Sequence, residues 1–374
     1  MQAATGIPVV DVNTFFGKRV DSDPRYSAAA LCAELDRHRV ALALSYAQRG
    51  VDYHPAGGND ETLALARANP RILPVATVNP RDSLGWRGEI DRCLQAGVRV
   101  FRLFPGAQAW PVDSQAFRSL VRHLRGKSAW LILSAIDVGD WSALAKAAAA
   151  ADAAEVPLLF VETHYSNMAE VLAVMQQYPR VYSDTSMLAT VGAVDLMVRE
   201  ACVAHLLFGS GAPWHSLQKA FNQVLEADIG EADKAAILGG NALKLFGLDA
   251  GRCAGAPRLE KLEPQAFAEP SIDVHSHLGY WALPHPQEHY DPGPMLRRMA
   301  RLNIARSVVS SYESMRYDIA AGNRAVADAI AGHPELCGYV ELDPHHLELS
   351  CAEMDRYYRL PNFVGCEVEL THIP

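Results

Sequence analysis

The stretch SIDVHSHLGY, from Ser271 to Tyr280, carries two histidines one residue apart, His275 and His277. On a β-strand, alternate residues point to the same side, so both imidazoles reach one spot. Two imidazoles at that spacing suit a divalent metal, commonly zinc, which needs about four nitrogen, oxygen or sulfur ligands. The competing reading makes them surface-loop histidines beside LPHPQEHY. Farther along, FVGCEVEL sets Glu367 and Glu369 on one face, alternating with Cys366 and Val368. Unpaired carboxylates are costly to bury. Either that face turns toward the metal, where one glutamate adds a ligand, or both sit at a solvated end of the chain.

The start of the chain repeats the first phrase with its histidines gone. DVNTFFG at Asp11 matches DVHSHLG at Asp273, with Asn13 and Phe15 in the histidine places. GNDETLALARANPRILPVATVNP from Gly58 likewise matches GNRAVADAIAGHPELCGYVELDP from Gly322. Gly58-Asn59, Pro70 and Pro80 keep one constant offset to Gly322-Asn323, Pro334 and Pro344, and chance rarely does that over such a span. VRVFRLF then corresponds to GCEVELT. These matches predict a tandem repeat whose second copy holds about four strand–helix units, half a barrel. An ending at ELTHIP, just after a strand, reads as cut off from a longer parent.

The elements that must position these residues alternate from Pro8 onward. PVVDV, VALALSY, ILPVATV, VRVFRLF, AWLILSA, PLLFVETH, RVYSDTS and HLLFGSG read as strands. Amphipathic stretches such as YSAAALCAELDRH and VDSQAFRSLVRHLR lie between them. The strands are nearly continuous apolar runs, which predicts burial on both faces, as in a parallel sheet. The fold class is α/β, with eight such units over residues 1–248 forming a (β/α)8 TIM barrel. The competing doubly wound sheet calls for a glycine-rich first turn, which DVNTFFGKRV is not. Residues 249–270, rich in Gly, Pro, Ala and charge, are expected to be a linker, and residues 271–374 the start of a second barrel.

Composition narrows the function. Of 374 residues, 49% are hydrophobic and 21% charged, with a formal net charge of −9, which argues against nucleic acid or an anionic membrane as partner. No signal peptide or bilayer-length apolar run is evident. Seven scattered cysteines without C-x-x-C spacing read as reduced thiols of a cytoplasmic protein. AKAAAAADAA is an outer-ring helix former rather than a binding box, and His345-His346 has no metal-ligand spacing.

The chain resembles the amidohydrolase-related family of metal-dependent hydrolases and decarboxylases. The resemblance spans nearly the whole sequence and rests on DVNTFFG, FVETHYSN, LLFGSGAPW and NALKLFGL in the first copy, and on IDVHSHLG and FVGCEVEL in the second. It implies a metal held by His-x-His on strand one, His on strand five, often His on strand six, and Asp on strand eight. Carried over, the first copy has Asn13, Phe15, Ser134 and Gly211 at those places and keeps only His164, on strand six, as a catalytic remnant. No ligand set survives there, so the first barrel is expected to hold no metal. The second copy keeps His275 and His277, with Glu367 or Glu369 as a further ligand, and a divalent cation, zinc first among the candidates, is expected there only, weakly held. Arg102 and Asp184 are expected in the first barrel's mouth near Asn13 and His164, in a satisfied polar network or binding an anion, with Trp214 and His215 lining or covering it. The function implied is hydrolysis or non-oxidative decarboxylation of a small organic acid or amide in the intact parent, the metal polarising the substrate and lowering the pKa of water to about 7. The alternative is a non-catalytic barrel that binds a small ligand or a partner subunit, including a homo-dimer that covers the half-barrel.

Overall fold

The computed structural model describes residues 6–18, 23–82, 85–248, 253, 258–260, 263–264, 266–281 and 289–369. They form two compact units, Met1–Glu263 and Pro264–Pro374. In the first, eight strands follow one another around the sheet in chain order. They are β1 (Val9–Phe16), β2 (Val40–Ala47), β3 (Ile72–Thr77), β4 (Val100–Leu103), β5 (Trp130–Ser134), β6 (Leu158–Val161), β7 (Val181–Asp184) and β8 (Leu206–Leu207). All neighbours pair in parallel. The sheet closes where the chain leaving β8 meets β1: Val12 N–H donates to Phe208 O at 2.9 Å, and Gly211 N–H to Asn13 O at 2.8 Å. This is the expected (β/α)8 barrel.

The apolar runs account for it. β1 and β2 are buried along their whole length. One set of their residues, Val10, Val12, Leu42 and Leu44, fills the barrel with Val75, Ile132, Leu159 and Leu207. The alternate set, Val9 and Ala43 among them, packs with Phe101, Leu131 and Phe160 against the helices. Helix starts are fixed by capping side chains: Ser27 Oγ accepts from Ala30 N–H, and Ser114 Oγ from Phe117 N–H, both at 3.2 Å.

Much of the expected linker lies outside the described residues. Of the rest, Cys253 is buried in the first unit's core and Leu259 bridges to Ile7. All seven cysteines are free thiols. Among the described residues, no helix is long and apolar enough to cross a membrane.

The second unit is a five-stranded sheet. Its strands are β9 (Ser271–Tyr280), β10 (His289–Tyr290), β11 (Ile304–Ser311), β12 (Leu336–Leu342) and β13 (Phe363–Val368). β9, β11, β12 and β13 run parallel in that order, and β10 pairs antiparallel with the end of β9. The four parallel strands fit a partial second barrel. Leu278, Val309, Val340 and Phe363 pack against helices Pro292–Leu302, Ile319–Ile330 and Leu347–Tyr357 in its core.

Several local devices recur in both units. Asp11 accepts from Asn13 N–H at 3.0 Å, and Asp273 from His275 N–H at 3.1 Å. Asn59 donates to Thr77 O at 2.9 Å and accepts from Thr77 N–H at 2.8 Å. Asn323 does the same for Glu341, at 3.1 and 2.9 Å. A Cβ on Gly58 would stand 2.2 Å from Gly50 N, and one on Gly322 2.2 Å from Ser314 N, so both helices need glycine where a preceding short helix crosses.

Candidate functional site

Two places gather residues that the sequence singles out. The first is the mouth of the complete barrel, at the C-terminal strand ends, where barrel enzymes carry their sites. Asn13 from β1, Arg102 from β4, Ser134 from β5 and Asp184 from β7 all arrive there, buried. Arg102 Nη1 donates to Asn13 Oδ1 at 2.6 Å, and Nη2 to Glu162 Oε1 at 3.0 Å. Asn13 Nδ2 donates to Asp184 Oδ2 at 3.0 Å, and Ser134 Oγ to the other oxygen of Glu162. Glu162 lies just past β6 with φ 62°, a left-handed conformation that turns its carboxylate onto Arg102. The guanidinium also stands 5.0 Å above the Tyr46 ring and 5.2 Å from that of Phe104.

This is a compensated ionic network rather than an open ligand set. Burial works to raise the Glu162 carboxyl, but the Arg102 charge and the bonds from Ser134 and Arg102 outweigh it and hold the group below its usual range. Asp184 goes the other way. Burial pushes it up to about 6, the bonds from Ser186 and Asn13 oppose the rise, and the Glu162 charge adds to it. Above the network is a cavity of about 420 Å³. Phe15, Tyr46, Phe104, Asp137, Trp214 and His215 contribute to its walls. Gly211 also borders it, with φ 71°. His164 is not part of that lining; its Nδ1 lies 3.0 Å from Ser166 Oγ and its ring packs on Tyr165. The sequence reading passed over Glu162, Tyr46 and Ser186. The glutamate stands in FVETH two residues before the histidine that drew the eye, and only its left-handed backbone shows where it points.

The second place is the end of the parallel sheet in the second unit. His275 and His277 from β9 come together with Glu367 from β13, each offering a ligand atom within 4.8 Å of the others. His275 Nδ1 lies 3.2 Å from Glu367 Oε1, and the Nε2 atoms of the two histidines are 3.2 Å apart. His277 is anchored from behind, its Nδ1 lying 2.8 Å from Ser310 Oγ and its ring packed on Tyr312. Such a partner fixes the orientation of a ligating imidazole. The donor set of two imidazoles and one carboxylate fits a divalent cation. Glu369 is not in this trio; its backbone N–H donates to Glu341 Oε1 at 3.1 Å.

The strand register also shifts one correspondence drawn from the sequence. Thr77 pairs with Arg102, and Glu341, clasped as Thr77 is, pairs with Glu367. Arg102 therefore answers to Glu367, two residues from the match of VRVFRLF with GCEVELT. The sequence reading also missed Glu341, which lines up with Glu367 only once β12 and β13 are paired.

Residues 12–248 match the family described as Amidohydrolase. Among solved structures, 2,6-dihydroxybenzoate decarboxylase from Rhizobium aligns with TM-score 0.53 and 16% identity, over 65% of this chain and 100% of that one. The dihydroxybenzoic acid decarboxylase from Polaromonas sp. JS666, with bound manganese and the inhibitor 2-nitroresorcinol, gives 0.55 and 14%, over 66% and 99%. The 5-carboxyvanillate decarboxylase from Sphingomonas paucimobilis gives 0.52 and 14%, over 65% and 100%. At these identities the likeness shows the fold. No curated protein sequence matches the chain. The family match over most of the chain, on a closed barrel, places this protein in the amidohydrolase family.

Proposed function

We propose that the chain is a tandem amidohydrolase-type protein whose metal chemistry belongs to its second unit. The activity is hydrolysis or non-oxidative decarboxylation of a small organic substrate. The observation that carries this reading is the convergence of His275, His277 and Glu367 within 4.8 Å. A cation held there would supply Lewis-acid polarisation of a carboxylate or amide oxygen. The solved decarboxylase with bound manganese supports a divalent ion of that kind, and zinc suits the same donors.

The first barrel's residues do not fit such an ion. The Arg102 guanidinium already bonds Asn13 and Glu162, the two groups best placed to ligate. Phe15 offers no donor atom, and Gly211 no side chain. The test is metal analysis of the full-length protein loaded with zinc or manganese and dialysed. One ion per chain is expected, lost in His275→Ala and His277→Ala and kept in Asn13→Ala. Metal that survives both histidine substitutions and leaves with the Asn13 change would overturn the assignment.

One observation favours a second role for the first barrel, the binding of a small ligand without catalysis. The cavity above Arg102 has an aromatic wall of Phe15, Tyr46, Phe104 and Trp214, with polar groups at its base. Small-molecule sites combine those features. Quenching of tryptophan fluorescence by substituted benzoates, abolished in Trp214→Ala, is the expected sign; no quenching across such a panel would remove this role.

A further inference from the structure

The two units place different chemistry at the same pair of strand positions. In the first, Thr77 on β3 sits beside Arg102 on β4. In the second, Glu341 on β12 sits beside Glu367 on β13. The asparagine clasps on Thr77 and on Glu341 mark these positions as equivalent. The first unit thus has a built-in cation there, bonded to a neighbouring carboxylate. The second has two carboxylates side by side on one face of the sheet, since directly paired residues point the same way.

Glu341 is 1% exposed. One of its oxygens accepts from Glu369 N–H, and the other, Oε2, has no partner among the described residues. Glu367 is less buried and its Oε1 faces the His275 imidazole, but its Oε2 too is buried without a partner among the described residues. No lysine or arginine among the described residues pairs with either carboxylate. A buried carboxylate without a counter-charge is unfavourable, and a second one alongside adds to the repulsion. A cation between the two oxygens and the histidines removes that cost.

We propose that Glu341 is the fourth protein ligand of the site formed by His275, His277 and Glu367. The first, third and fourth strands of the partial barrel then supply a complete set of two imidazoles and two carboxylates for zinc or manganese. The trio is already assembled, and Glu341 stands in register with its Glu367 on the adjacent strand, placed to complete it. Nothing from a fifth, sixth or eighth strand is then needed to hold the ion. This inference rests on the reading that the second unit binds a divalent cation, and it reverses the expectation of a weak, incomplete site.

The experiment is competition between a fluorescent chelator and the full-length protein for zinc, with cobalt as a spectroscopic stand-in. Wild type is expected to hold one zinc per chain. Glu341→Gln, which keeps the bond from Glu369 N–H, should weaken zinc binding at least tenfold. It should also change the visible cobalt spectrum while leaving the metal-free protein no less heat-stable. Glu341→Asp, with a carboxylate of shorter reach, should fall between the two, and it answers the question if the glutamine variant fails to fold. Zinc affinity and cobalt spectra equal to wild type in these variants would overturn the role of Glu341 and leave the histidine–Glu367 site standing. Failure of wild type itself to bind zinc or manganese would overturn the metal reading and this assignment with it.

Discussion

Arg102 decides the character of the first barrel. It is nearly fully buried, and its pairing with Glu162 keeps the neighbouring carboxylate charged at the base of the cavity. Arg102→Met keeps the bulk and removes the charge, stranding Glu162 and the Asn13 oxygen. Breaking a buried pair in this way costs about 3–5 kcal/mol, so the denaturant midpoint of the first unit should fall accordingly. Arg102→Lys should recover only part of the loss, because one ammonium does not reproduce the fork that holds both partners. Asp184 carries a pH signature. Its folded pKa, pushed up to about 6, lies above the ordinary 3.8, so the folded state holds the proton more tightly. That contribution is fully present below about pH 4 and is lost as pH rises through about 6. The loss is on the order of 3 kcal/mol, at 1.36 kcal/mol per unit. Urea unfolding of wild type and Asp184→Asn at pH 4 and pH 7.5 should show wild type losing ground to the variant at the higher pH. A constant difference between them would contradict the shift.

At the scale of elements, the two units are held by the same small parts. Gly58 and Gly322 let a short helix cross a long one at backbone contact, and a Cβ at either place would overlap a backbone nitrogen. Gly58→Ala and Gly322→Ala should each destabilise their own unit by about 1–3 kcal/mol, read as a lower unfolding midpoint. Asn59 and Asn323 each satisfy both backbone groups of a strand residue, and truncation to alanine leaves a buried N–H and C=O unpaired, at about 1–3 kcal/mol each. These positions were legible in the sequence, since the Gly-Asn pair and the spaced prolines recur at one offset. The strand pairing was not. A shift of two residues keeps the same face outward, so the apolar pattern alone did not separate Arg102-with-Glu369 from Arg102-with-Glu367.

At the scale of the whole molecule, the chain divides into a closed barrel and a smaller sheet unit. If the ion belongs to the second unit, metal linkage acts on that unit alone. Zinc at a hundred times its Kd should raise the stability of the second unit by about 2.7 kcal/mol and leave the first unit unmoved. Hydrogen exchange followed by mass spectrometry separates the two. Added protection should be confined to peptides from β9, β11, β12 and β13, and a chelator should erase it. Equal added protection in β1–β8 would place the ion in the first barrel.

The sequence by itself determined the α/β class, the eight-strand barrel, the family and the two candidate sites. Those rest on local information: apolar runs of strand length, turn residues, and motifs of a few consecutive positions. It also named Asn13 and Ser134, which stand where the family resemblance puts metal ligands, and Arg102 and Asp184, expected in the barrel mouth. Tertiary structure alone decided which charges meet. Arg102 and Glu162 are sixty residues apart, and their pairing depends on a left-handed backbone that no composition rule assigns to a glutamate. Glu341 and Glu367 become neighbours only through the register of two parallel strands. The energy of a buried charge depends on what stands within a few ångströms of it, and in a barrel those neighbours come from different strands, brought together only when the sheet pairs.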